Sequence, residues 1–406
     1  MTATSQVDLL HPSGVSPMSF SGRRREFLKL LVTGSLFQIP TFGFYRFWFI
    51  TKQRRYLWAN TKIGNEAFEY TGSAKELLIG FLIAFAILTP IYLGYFLLGI
   101  LLEEKKEFAS LPLGFALYAL VHFGVYRARR YRASRTSFRG IRFWMDGSGW
   151  RYAAQAIKWN IVNTLTVGLT LPWSMAALER YCMRHTYFGS IQGDFVGTGT
   201  ELFKRAGWIW FLLIVATLTW LMSFRLFSLS GLESAAWTAT SIAGLVGLIL
   251  VFLPAIPMAM ALFTRWQIEG IRFGEVAVRS KLRKRDFYGP FIKLILSAIG
   301  FLIVLGGCHF AGFVMLVKYF GADLQGLAKG QLTLGTGLFV AISYLATFMG
   351  LGVIKRYFMG RGLWAITVSS VAVTNLAAID AAVAAGQPAG VIGEGLADAL
   401  DFNVGL

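Results

Sequence analysis

The predicted fold class is an all-α polytopic membrane protein. It has about six transmembrane helices in three hairpins, two re-entrant or interfacial segments, and a possible small cytoplasmic β-sheet from juxtamembrane strands. Three observations predict it: composition, the placement of basic clusters and a repeated collar motif. The 406 residues are 55% hydrophobic and 15% charged, with mean hydropathy +0.57. Soluble chains carry about 25% charged residues, so water is not the main solvent here. The pattern Arg-Tyr, four residues, Thr occurs at Arg55-Tyr56…Thr61, Arg130-Tyr131…Thr136 and Arg180-Tyr181…Thr186, each time after a long apolar run.

Residues 1–22 are polar and contain Pro12, Gly14 and Pro17, which reads as a loose, disordered tail. Residues 23–150 and 151–289 form two membrane repeats, 290–360 a third transmembrane hairpin and 361–406 a cytoplasmic C-terminal tail. Apolar runs such as Leu77–Leu102, Trp208–Phe224, Ile242–Phe263 and Phe291–Val317 approach or exceed the roughly 20 residues that cross a bilayer. The predicted hairpins are about 75–102 with 108–127, 206–227 with 237–263, and 290–317 with 332–355. A β-barrel is not expected, because membrane barrel strands alternate over about ten residues instead of staying apolar.

The duplication is read from identities. Thr41, Gly43, Trp48, Arg55, Tyr56, Thr61, Gly64, Gly72, Glu76 and Leu77 recur as Thr166, Gly168, Trp173, Arg180, Tyr181, Thr186, Gly189, Gly197, Glu201 and Leu202. A shorter offset aligns Arg55, Tyr56, Thr61 and Phe68 with Arg130, Tyr131, Thr136 and Phe143.

The net charge of +18 is explained by basic clusters gathering on one membrane face rather than by nucleic acid. That face also suits anionic lipid head groups, the expected partners, while no nucleic acid and no particular protein partner is implied. If every apolar run spanned fully, successive clusters would alternate sides. The conflict disappears if 27–50 and 157–178 enter and leave on the same side. Both contain breaks, Pro40 with Gly43 and Gly168 with Pro172, because proline removes a backbone donor and glycine weakens a helix. The alternative is a pair of ordinary kinked spans.

Five short runs read as strands: Ala67–Tyr70, Gly140–Trp144, Asp194–Val196, Gly270–Phe273 and Leu363–Val368. They either pair into one small sheet or remain five separate loops.

The collars suit anchoring, with Tyr at head-group level and Arg snorkelling to phosphate; the sharper alternative is a vestibule for an anion or lipid. His122 and His309 fall inside predicted spans, where an ionisable group is a functional candidate, although a neutral histidine bonded across a helix interface also fits. Paired carboxylates, HExxH, GxSxG and a Walker-A loop are absent, Cys182 and Cys308 lie far apart, and neither cofactor nor metal nor enzymatic activity is expected.

These residues carry a resemblance. Thr41–Tyr45, Trp48, Arg55-Tyr56, Thr61, Gly64, Phe68 and Tyr70–Gly72, with the tail Gly393–Asp401, resemble the YjgN-like family of bacterial inner-membrane proteins. In the second copy Leu169–Pro172 replaces the aromatic-rich Phe44–Phe47. The resemblance implies a multi-pass inner-membrane location and supplies no catalytic residues. The leading expectation is a transporter or channel-like protein with both termini in the cytoplasm; the alternative is a non-enzymatic scaffold binding a cytoplasmic partner.

Overall fold

The computed structural model describes the backbone of residues 14–101, 106–229, 234–320 and 334–390. Residues 102–105, 230–233 and 321–333 and the acidic stretch at 393–402 lie outside the described residues.

Short strands alternate with long helical hairpins. β1 (Val15–Phe20) leads into α1 (Arg24–Leu36) and α2 (Arg46–Ala59), which return to β2 (Thr61–Ile63). β3 (Glu66–Ala67) and β4 (Glu69–Tyr70) precede α3 (Ala74–Leu101) and α4 (Lys106–Ser134), followed by β5 (Thr136–Phe138) and β6 (Ile141–Met145). α5 (Gly149–Leu165) and α6 (Leu171–Arg184) return to β7 (Thr186–Phe188) and β8 (Ile191–Phe195). α7 (Gly199–Leu229) and α8 (Ser234–Gly270) return to β9 (Ile271–Phe273) and β10 (Val276–Ser280). α9 (Tyr288–Phe320) and α10 (Leu334–Lys355) come last, the latter running through a π-helical turn (Arg356–Gly362) into α11 (Leu363–Ser370) and β11 (Val371–Thr374).

The structure corrects the all-α expectation. All eleven strands form one sheet, ordered β3-β2-β1-β11-β10-β9-β8-β7-β6-β5-β4, in which every neighbouring pair is antiparallel. The break lies between β3 and β4, which are joined through the single residue Phe68, so the sheet is a nearly closed barrel. This barrel escapes the alternation test because its strands have two to six residues, short of the roughly ten over which a membrane barrel alternates.

Each helical hairpin stands on two adjacent strands. The pairings Phe20↔Thr61, Tyr70↔Thr136, Met145↔Thr186, Phe195↔Ile271 and Ser280↔Val371 sit at the roots of the five hairpins. Thus α1–α2 and α5–α6, the segments with predicted breaks, begin and end beside each other. Their tips share one turn: Phe42-Gly43 have φ +49° and +85°, and Val167-Gly168 have +51° and +80°. Gly43 N–H donates to Gln38 O at 2.8 Å, and Gly168 N–H to Asn163 O at 2.6 Å. Only glycine occupies that second position without a Cβ penalty. Pro40 lies within the first tip, and Pro172 is in the first turn of α6, where its missing N–H costs nothing.

Three other expectations change. Leu363–Val368 is helix, not strand, because no breaker follows Gly362 and Trp364, Thr367 and Val368 face one side at helical spacing; the strand starts at Val371. Val15–Phe20, assigned to a loose tail, is a central strand between β2 and β11. Among the described residues five helical stretches are long and apolar enough to cross a membrane: Ala74–Leu97, Gly199–Met222, Ile242–Gly270, Tyr288–Tyr319 and Leu334–Ser370. α4, counted as the sixth span from sequence, is not among them, and its last turns carry Arg127, Arg129, Arg130 and Arg132.

Candidate functional site

The barrel has an interior. Along the strands, residues two apart face the same side, so Thr61 and Ile63, Thr136 and Phe138, Ile271 and Phe273, and Val371 and Val373 all line one lumen. The lumen is a cavity of about 460 Å³. Ile63, Phe138, Phe188, Val276 and Val373 form its buried wall, with Phe143 packed on Phe188 at 4.8 Å and on Phe273 at 5.8 Å between ring centres. At the rim of the short turns a 3₁₀ turn (Leu376–Ala381) places Leu376 and Ile379 against this wall. Arg139, in the β5–β6 turn, pairs with Glu66 of β3 and with Asp380 of that 3₁₀ turn, holding it beside the β3–β4 break.

At the helix-bearing rim Trp58 and Trp364 stack with ring centres 5.0 Å apart. Trp58 Nε1–H donates to Thr136 Oγ1 at 3.0 Å, and Trp364 Nε1–H donates to Thr61 Oγ1 at 2.9 Å. Both hydroxyls donate onward to backbone, Thr136 to Arg132 O and Thr61 to Leu57 O. Polar groups at the mouth therefore satisfy each other, and the lumen behind them is apolar.

The collar residues divide into two roles. Thr61 and Thr136 line the mouth, whereas Thr186 is buried and donates to Cys182 O. The arginines instead clasp backbone carbonyls where strands pass into helices. Arg55 donates to Gly72 O at 3.0 Å, Arg180 to Phe195 O at 3.2 Å and Gly197 O at 2.9 Å, and Arg265 to Leu282 O at 3.4 Å. In three cases the sequence separation is 17 residues. Arg361 makes the matching bond across the chain ends, to Gly22 O at 2.6 Å. Arg130 is half-buried near the end of α4. Hydrogen bonds to a charged group contribute about 1.5–3 kcal/mol each, so these clasps fix where four of the five hairpins leave the sheet.

The tyrosines act likewise: Tyr56 donates to Arg23 O, Tyr131 to Glu76 and Tyr181 to Ser148 O. Glu76 also receives both Arg135 Nε and a terminal guanidinium N–H, at 3.1 and 2.7 Å. Arg129 and Glu179 form a two-bonded pair at 2.6 and 2.8 Å that ties α4 to α6. Burial pushes the Glu179 carboxyl upward, but the Arg129 charge and hydrogen bonds from Arg129 and Gln267 outweigh it and hold it below its ordinary value. Burial pushes the Cys182 thiol up to about 12, which leaves it a poor nucleophile.

The two histidines expected inside spans from the sequence are separate from the lumen. His122 Nε2 lies 3.2 Å from Asn160 Nδ2 between α4 and α5, and His309 meets Phe339 edge-on at 6.0 Å. Sequence reasoning missed three things. Trp58 and Trp364 each follow a clasping arginine by three residues, a spacing shared by Arg55 and Arg361 that would have linked them. It also missed the His185–Asp146 contact at 2.7 Å, which joins the end of α6 to the end of β6, and it had no signal for the lumen itself.

Fold and site together define a class: a membrane protein whose helical hairpins are planted around a small, apolar-cored β-ring. The chain belongs to the DUF898 family, described as "Bacterial protein of unknown function", whose model matches residues 15–399. It is similar to the inner membrane protein YjgN of Salmonella typhimurium, 27% identical over 124 residues, or 30% of each chain. It is also similar to the inner membrane protein YjgN of Escherichia coli O157:H7, 27% identical over 124 residues, covering 30% of this chain and 29% of that one. The match thus spans less than a third of the length of these relatives. No solved structure matches.

Proposed function

We propose that this protein is a non-enzymatic inner-membrane carrier whose β-ring faces the cytoplasm and whose cargo is apolar or amphipathic. The observation that carries the reading is the lumen: its wall is almost entirely apolar, and Trp58, Thr61, Thr136 and Trp364 line it at the helix-bearing rim, the side nearest the bilayer in this reading. A hydrated ion crossing such a wall would lose its water without replacement. The apolar helices and the inner-membrane names of both relatives support the location.

Orientation follows from charge. The ring end of the helices carries Arg127, Arg130, Arg180, Arg184 and Lys281–Arg285, and positive residues are retained in the cytoplasm. Gly14 and Asn375 are bonded to each other at the far rim of the ring, which puts both described chain ends on that side. Two hairpins are read as dipping into the leaflet without crossing. α1 and α6 have 13 and 14 residues, about 20 Å of helix against a hydrocarbon core of about 30 Å. Their tips expose Phe42 at 93% and Leu165 at 79%, side chains suited to lipid. The recurring hairpin on two strands supports an origin by internal duplication.

Single cysteines in a Cys308→Ser background test the orientation. Asn65→Cys and Glu275→Cys in the short turns should label only from the cytoplasm, and Ser230→Cys and Lys329→Cys only from outside. Labelling of both groups from one side refutes the topology. Reconstituted protein should accelerate transfer of an apolar probe between leaflets or vesicles. Recovery of a stoichiometric protein partner without any transfer would favour a scaffold instead.

A further inference from the structure

We infer that the lumen of the β-ring is a binding site for one unbranched acyl chain, taken methyl end first and held with its polar end at the Trp58–Trp364 mouth. The inference deepens the carrier reading by naming its cargo, and it rests on that reading only for the supply of chains from the bilayer.

Four observations converge. At about 460 Å³ the cavity falls in the lower half of the size range of small-molecule sites, which suits one chain better than a two-chain lipid. Its walls are the side chains of Ile63, Phe138, Phe273 and Val373, with no charged residue among those lining it. Apolar cavities of this kind stay dry and accept apolar guests. The hydroxyls at the mouth already bond to the tryptophan N–H groups and to backbone, so an entering chain leaves none of these buried donors or acceptors unpaired. At the far end Leu376 and Ile379 line the lumen and pack on its wall, which makes them the floor of the proposed pocket. A blind apolar pocket measures chain length.

A charged head group is not recognised by the pocket, since the polar side chains among the described lining residues are Thr61, Thr136 and Thr367 beside the tryptophan pair, and all three are neutral. A fatty acid, an alkyl alcohol and a lysophospholipid of equal chain length should therefore occupy it similarly, and a tenfold or larger preference among them would overturn this indifference to the head group.

The test is displacement of cis-parinaric acid from the full-length protein in nanodiscs of branched-chain phospholipid, by saturated fatty acids of increasing length. Referred to the free aqueous fatty acid, measured beside the nanodiscs, affinity should rise about fourfold per added methylene and then stop rising once the pocket is full. Val373→Phe, which shortens the pocket, should move that stop to shorter chains; Phe138→Ala should move it to longer ones. If Val373→Phe does not fold, the Phe138→Ala shift alone decides. The inference is overturned if affinity grows without a stop, or if the stop is the same in the variants as in the parent, since the chain would then lie on the outer lipid-facing surface. Length-limited binding without any transfer between vesicles would keep the inference and remove the carrier reading. Transfer without length-limited binding would do the reverse.

Discussion

Replacing Glu179 by Met should destabilise the protein more than its size suggests, because it strands Arg129. The guanidinium now makes two short bonds to the Glu179 carboxylate across the α4–α6 contact, where the Glu179 side chain is 10% exposed. Removing one partner of a buried pair costs about 3–5 kcal/mol. Arg129 itself is 31% exposed, so part of its charge stays hydrated and the expected loss is about 2–3 kcal/mol. The double variant Arg129→Met/Glu179→Met removes both charges and should recover most of that loss, to within about 1 kcal/mol of the parent. Thermal unfolding of the four proteins of this cycle in one detergent, followed by tryptophan emission, supplies the coupling energy. Additive losses, with the double variant as unstable as the two singles summed, would refute the argument that the pair pins α4 to α6.

Acid should act through the same carboxylate: its folded pKa lies below the ordinary 4.5, so its contribution is complete above that value and is lost as pH falls through the lower, folded one. A melting series against pH should show a smaller loss in Arg129→Met/Glu179→Met than in the parent. The remainder comes from other arginine-paired carboxylates such as Glu269 and Asp194, the latter also held below its ordinary value by the Arg184 hydrogen bond. Gly168→Ala should cost about 1–2 kcal/mol through the left-handed backbone and through the Leu171 Cδ1 contact at 3.3 Å. Gly43→Ala, with open space around it, should cost less, and equal losses in melting would count against the contact argument. Arg180→Lys should lose about 1–3 kcal/mol, because an ammonium cannot bridge Phe195 O and Gly197 O as the fork does; an unchanged melting curve would show the clasp to be ornamental.

The long helices were legible because their apolar runs are continuous, and the two broken segments because proline and glycine interrupt them where the chain turns. The ring was only half legible. Gly140–Trp144 and Gly270–Phe273 announce strands through glycine-bounded aromatic and branched residues, but β3 and β4 have two residues each and carry no period. Val15–Phe20 hides behind Pro17, whose missing N–H reads as a breaker until its partner strands are known. Leu363–Val368 has strand composition and yet is helix, since the helix before it continues through the π-helical turn at Arg356–Gly362. The lumen was invisible for a different reason: it exists only when residues from every part of the chain meet, and no local spacing encodes that. The arginine clasps stood in the collar motif all along, but their acceptors are backbone carbonyls, to which a sequence gives no letter.

Val15 pairs with Thr374 and Pro17 with Ala372, so the ring is fastened by the first and last strands. A ribosome therefore delivers β1 and its partner β2 long before β11 exists, and the young chain must wait with one edge of β1 unmatched until Val371–Thr374 emerge. Joining the two ends and opening the chain in the Gly274–Glu275 turn would put the late partner beside the early one, and such a permuted protein should assemble faster without altering the finished architecture.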